Sequence, residues 1–195
     1  MSPTPATPTS ASQSFTAVAI GLHWLIAFAI IGSFALGLYM HELPLSPQKL
    51  KLYSWHKWAG VTIFLFVVLR LAWRLTHRPP ELPAGMPAWQ RQVAELTHVL
   101  LYGLMFAVPL SGWLMSSAKG FPTVWFGVVT LPDLLDKNKE LGDVLQQVHE
   151  LLNFGMAGLV LAHLGASLKH HFIDRDDVLS RMLPFLGQPA SGDKS

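Results

Sequence analysis

The run HELLNFGMAGLVLAHLGASLKHH, residues 149–171, decides the fold. From Leu151 to Leu168 it holds 18 residues with no Asp, Glu, Lys or Arg, long enough to read as a membrane span rather than a buried core helix. It is flanked and interrupted by His149 and His163. Fourteen residues on an α-helix come back to within about 40° of the starting face after a rise of about 21 Å, so the two imidazoles face one way near opposite membrane surfaces. An ionisable side chain at that depth is costly unless neutral and satisfied, and so points to function.

Working outward, Phe15 to Met40 (26 residues) and Leu96 to Ala118 (23 residues) lack the same four residue types and read as further spans. A fourth runs from His56 to Leu75. Its uninterrupted apolar part is only Trp58 to Leu69, with Lys57, Arg70 and Arg74 toward its ends able to snorkel and Trp55 and Trp73 as interfacial anchors. The expected fold is an all-α membrane protein, a four-helix transmembrane bundle. Composition agrees: of 195 residues, 51% are hydrophobic and only 13% charged, against about 25% charged in soluble domains. The chain has no cysteine, which removes disulfides, iron–sulfur clusters, Cys-based zinc sites and thiol nucleophiles. A net charge of +2 with no long basic run argues against a nucleic-acid partner.

Residues 1–14 are uncharged and rich in Pro, Ser, Thr and Ala, and are expected to be a disordered tail. No secretory leader is visible in them. Residues 15–185 form the expected domain, and 186–195 a second tail. Between the third and fourth spans, Lys119 to Gln147 mixes aromatic, Pro and Gly residues with charge, suggesting either a plain loop or an interfacial cap with a short helix near Leu141 to Val148. Four spans put both termini on one side. Lys and Arg number four in Arg70 to Arg91 and four after Leu168, against three in Met40 to Lys57 and three in 119–139, so the termini are expected in the cytoplasm.

The histidines fall at two depths. His56 opens the second span on the side where His149 opens the fourth, giving an outer pair. His23, eight residues into the first span, lies level with His163, giving an inner pair. Two such pairs about 20 Å apart suit bis-His ligation of two haems, because haem iron takes one imidazole on each axial face. Zinc suits the pairs less, since it seeks three or four ligands and the spans supply no carboxylate at either level. His98, also at the inner level, leaves a His23 with His98 pairing open. Gly60, Gly155, Gly158 and Gly165 would either make room for a flat group or serve close helix packing. Arg70 and Arg74 near the inner pair, and Lys49, Lys51 and Lys57 near the outer, are candidate propionate partners or interfacial snorkellers. His41 and His77 fall at span ends, in solvent. His170 and His171 lie at the inner exit, where an imidazole can hydrogen-bond and protonate a quinone carbonyl or simply sit at the interface. Pro109 should kink the third span, with Gly112 easing the packing beside it.

Taken in order, Leu22-His23-Trp24, His56-Lys57 with Gly60, Arg70-Leu71-Ala72-Trp73-Arg74, His98 with Pro109 and Gly112, Trp125-Phe126-Gly127, His149-Glu150, His163 and His170-His171 resemble the bacterial cytochrome b561 family. These are small four-helix di-haem cytochromes of the inner membrane. The likeness runs from about Ala19 to Pro184. It implies two haem b groups, one held by His23 and His163 on the cytoplasmic side and one by His56 and His149 on the periplasmic side, with His98 left as a propionate, water or packing partner. It also implies electron transfer with ubiquinone, His170 as the quinone contact, and superoxide as a donor in at least one branch, drawn in by the outer lysines. A subunit passing electrons from a partner dehydrogenase docked on the 119–147 loop is the alternative. A haem-free transporter or scaffold using His for metal or protons is a third reading. Two features depart from relatives: bulky Trp58 follows His56-Lys57, and Ser14-Phe15 stands where a basic-aromatic start is common.

Overall fold

A computed structural model describes residues 14–83 and 85–186. The two expected tails therefore lie outside the described residues, apart from Ser14 and Leu186. Four long helices dominate: α1 (Ala17–Glu42), α2 (Pro47–Thr76), α3 (Ala88–Ala118) and α4 (Lys139–Lys169). Each is long and apolar enough to cross a membrane. At about 1.5 Å per residue the 31 residues of α3 or α4 reach about 46 Å, well past the roughly 30 Å hydrocarbon layer, so these helices project into the interfaces.

That projection corrects three boundaries read from charge alone. α2 begins at Pro47 rather than His56, α3 at Ala88 rather than Leu96, and α4 at Lys139 rather than Leu151. Local capping starts them. Ser46 accepts from the Lys49 amide with Pro47 at the first helical position, and Asn138 Oδ1 accepts from the Leu141 amide at 3.0 Å. The short helix expected at 141–148 is thus the first two turns of α4. α3 runs on through Pro109.

Among the described residues, backbone contact is extensive between α1 and α2, α2 and α3, and α3 and α4. Rings reach across from α4 to the first two helices: His163 to His23, Phe154 to Phe34, and His149 to His56. A small apolar cluster of Ile26, Ile63 and Val67, flanked by Phe66, Tyr102, Met105 and Phe106, ties α1, α2 and α3 together.

The segment after α3 is an ordered cap. A two-stranded antiparallel hairpin, β1 (Val124–Trp125) and β2 (Val129–Thr130), turns through Phe126 and Gly127, both at positive φ. The Trp58 indole donates to the Val124 carbonyl at 2.6 Å, the Trp125 indole to Thr62 Oγ1 at 3.2 Å, and Lys57 Nζ to the Phe121 and Pro122 carbonyls. At the opposite end α4 passes into a π-helical turn, His170–Asp174, and Arg175 closes it in the left-handed region. The chain then folds back so that the Trp24 indole donates to the Met182 carbonyl at 2.9 Å.

Candidate functional site

The helices bring the expected histidines together in two clusters, one toward each end of the bundle. At the end covered by the hairpin, His56 of α2 and His149 of α4 stand 6.3 Å apart between ring centres, with their planes at 90°. At the other end, His23 of α1 and His163 of α4 also stand 6.3 Å apart, at 66°. A metal–imidazole bond of about 2.0 Å, plus about 1.1 Å from nitrogen to ring centre, puts two rings on opposite sides of one ion about 6.2 Å apart. Both pairs match that span. His98 lies 5.5 Å from His163, beside that ring and closer than two rings facing each other across an ion.

Neighbouring helices hold the hairpin-end pair. The His56 Nδ1 lies 3.3 Å from Ser33 Oγ, and a methyl group on Gly37, one turn along α1, would meet His56 Cε1 at 3.4 Å. The His149 Nδ1 lies 2.9 Å from Ser111 Oγ and 3.1 Å from the Val108 carbonyl. A carbonyl only accepts, so Nδ1 carries the proton and the Nε2 lone pair is left for a metal. That donor set fits axial haem ligation. Around Gly60, Gly155, Gly158 and Gly165 no neighbouring atom comes within 4 Å of where a Cβ would stand, which removes close helix packing as their role.

The cations divide between structural bonds and open positions. Arg70 donates from Nη1 to the Ala19 carbonyl at 3.0 Å and from Nε to the Tyr102 hydroxyl at 3.1 Å, while Arg74 lies over the Tyr102 ring at 5.8 Å. Both line a cavity with Ser14, Thr16, Trp73, His77 and Arg78. Lys49 donates to the Leu43 carbonyl at 2.5 Å, and Lys51 lies over the Trp55 ring. His41 and His77 are exposed, as expected.

Sequence reading missed the partners of His170. Its Nδ1 pairs with Asp176 Oδ2 at 2.6 Å and lies 3.3 Å from Asp174, which Lys169 also holds at 2.5 Å. Asp176 Oδ1 in turn accepts from the Val178 amide. These three groups lie close enough to share a cation, but the lysine and the amide already answer the carboxylates. The neighbouring His171 Nδ1 is buried without a hydrogen-bond partner among the described residues. The signal for this dyad was the acidic run Asp174-Arg175-Asp176-Asp177 just after His170-His171; only the π turn and the left-handed Arg175 reveal which carboxylate folds back.

A four-helix membrane bundle with an imidazole pair toward each face is the architecture of a membrane cytochrome b. The chain belongs to the prokaryotic cytochrome b561 family, whose model matches residues 14–185. It is 36% identical over 177 residues to cytochrome b561 homolog 2 of Escherichia coli strain K12, covering 90% of this chain and 94% of that protein. It is 31% identical over 172 residues to cytochrome b561 homolog 1 of the same strain, covering 87% and 97%. A probable superoxide oxidase, CybB, of Yersinia pestis is 27% identical over 174 residues, covering 88% and 97%. The protein is accordingly a multi-pass membrane electron-transfer protein of a family that binds b-type haem. The haem-free transporter reading falls with that membership.

Proposed function

We propose that this chain is a di-haem cytochrome of the bacterial inner membrane that oxidises superoxide on the periplasmic side and reduces ubiquinone toward the cytoplasm. The observation that carries this reading is the repeated 6.3 Å imidazole pair, once toward each end of the bundle. His56 and His149 hold the haem beneath the hairpin cap, and His23 and His163 hold the other. Bound haem supplies one-electron chemistry in an apolar setting. Two superoxide anions each lose one electron to give dioxygen, and one ubiquinone takes up two electrons and two protons.

The chain's own groups supply position, charge and protons. Lys49, Lys51 and Lys57 give the periplasmic end a positive field that draws in an anion. Lys57 divides its donors between the cap carbonyls and a propionate, while Arg70 and Arg74 serve the propionates at the cytoplasmic end and His98 packs beside His163. His170 lies seven residues beyond His163 on α4, nearly on the same face and about 10 Å further toward the cytoplasm. With Nδ1 directed at Asp176, its Nε2 is the atom that hands a proton to the quinone carbonyl. The cytoplasmic side is that of both termini, consistent with the Lys and Arg count.

Purified protein tests each part. A dithionite-reduced minus oxidised spectrum with a haem assay is expected to return two b-type haems per chain. His56→Ala and His149→Ala should each remove the same one and spare the other; retention of both would defeat the pairing. Stopped-flow mixing of oxidised protein with superoxide should reduce haem, and no reduction at any concentration would eliminate that donor. A second reading, an electron-transfer subunit for a partner dehydrogenase, is favoured by one feature: the hairpin tip exposes Phe126 and Val128, the latter 82% accessible. Co-purification of a stoichiometric partner that the Phe126→Ser variant loses would select it.

A further inference from the structure

The segment Val108-Pro109-Leu110-Ser111-Gly112 of α3 carries more than a proline in a span. Ser111 Oγ is only 5% exposed at residue level and makes two contacts: it donates to the Val108 carbonyl at 2.8 Å and lies 2.9 Å from His149 Nδ1. The same carbonyl lies 3.1 Å from that Nδ1. The hydroxyl proton is spent on the carbonyl, so the Oγ lone pair faces the ring and shares the Nδ1 proton with Val108. Gly112 completes the seat. A methyl group there would stand 3.0 Å from His149 Cε1 and 3.3 Å from Nδ1, so only glycine lets the ring lie this close to α3.

We propose that Ser111 is a positioning residue for His149, fixing the Nδ1–H tautomer and lowering the redox midpoint of the haem that His149 holds. It rests on the bis-His assignment above. An axial imidazole whose distal N–H is polarised by hydrogen-bond acceptors donates more charge to the metal, which favours the ferric state. A hydroxyl that is itself donating is the stronger acceptor, because hydrogen bonds in a chain polarise one another. Two acceptors on one N–H therefore act in the same direction, and removing the nearer one weakens the effect. Ser33 stands in the corresponding place behind His56, 3.3 Å from its Nδ1, so both ligands of this haem carry a serine from an adjacent helix. No hydrogen bond joins the rings of His23 or His163 to another group among the described residues.

Redox titration of the full-length protein in detergent, followed optically and by the low-spin ferric EPR signals, tests the proposal. Ser111→Ala should keep two haems, raise the midpoint of one and leave the other in place, with a changed EPR g-value for that haem only. Ser111→Thr, which keeps the hydroxyl, should return both midpoints to the original. Ser33→Ala should raise the same haem, which covers the case in which Ser111→Ala fails to accumulate. An unchanged or lowered midpoint, or an equal shift of both haems, overturns the proposal. A colourless wild-type preparation instead overturns the haem assignment itself, so the two failures are distinct.

Discussion

Gly112 and Gly37 look alike in the sequence and differ in the space beside them. At Gly112 a methyl group would press on His149 at 3.0 Å, and behind the ring lie Ser111 and Val108, so the imidazole has no slack. At Gly37 the nearest atom of His56 is 3.4 Å away, an ordinary contact. Gly112→Val is therefore expected to lower the haem content by about one of two groups, while Gly37→Ala keeps both; a haem assay on the two variants decides. His170 gives a second residue-scale case. Asp176→Asn keeps an oxygen for the Val178 amide but replaces the charge-assisted partner of His170 with a neutral one. Quinone reduction should fall by at least about tenfold, since a positioned proton donor is worth about 10²–10⁴-fold. Haem content and dithionite reduction should be unaffected. An unaltered quinone rate would remove the dyad from the reaction.

At the scale of elements, the hairpin cap is held to α2 and α3 by tryptophans and lysine rather than by a core of its own. Trp58 and Trp125 cross-link it to α2, Lys57 takes two of its carbonyls, and the Trp113 indole of α3 donates to the Pro132 carbonyl at 3.1 Å. Ser116 Oγ takes the Phe121 carbonyl at 2.5 Å. Bulky Trp58, the departure from relatives, is one of these fasteners: its ring also stacks at 5.2 Å on Phe126. Trp58→Phe removes one indole donor, a loss of about 1 kcal/mol. Amide hydrogen exchange around Val129 to Leu131 should speed up several-fold while the α3 amides hold their protection. Uniform acceleration across both would mean that Trp58 supports the bundle as a whole.

For the whole molecule, four crossings place Arg78, between α2 and α3, on the side of both termini, and Lys137, before α4, on the opposite side. The absence of cysteine makes this measurable with single replacements. An impermeant maleimide is expected to label Lys137→Cys in intact cells, and Arg78→Cys only after the membrane is opened. The reverse pattern would invert the assignment and put the superoxide-facing lysines inside. The same two-ended arrangement explains why an all-helical chain can join an aqueous anion to a lipid-soluble acceptor: each end has its own imidazole pair, and α4 carries one member of each.

The amino-acid sequence determined the four spans, the two histidine levels and the family, because each is a matter of distance along a helix: 26, 23 and 18 uncharged residues, and a 14-residue interval between His149 and His163. Helix ends were beyond it, since charge marks where lipid stops while Ser46 and Asn138 mark where the helix starts. The choice between His23 and His98 as the ring opposite His163 was open for the same reason: both lie at the right height, and only the azimuth of α1 and α3 around α4 sets one at 6.3 Å and the other at 5.5 Å. The serines behind His56 and His149, and the carboxylate behind His170, belong to the tertiary structure alone. A hydroxyl or carboxyl group becomes a partner only when packing or a turn brings it within about 3 Å, and hydropathy along one helix carries no information about which face of the next helix will meet it.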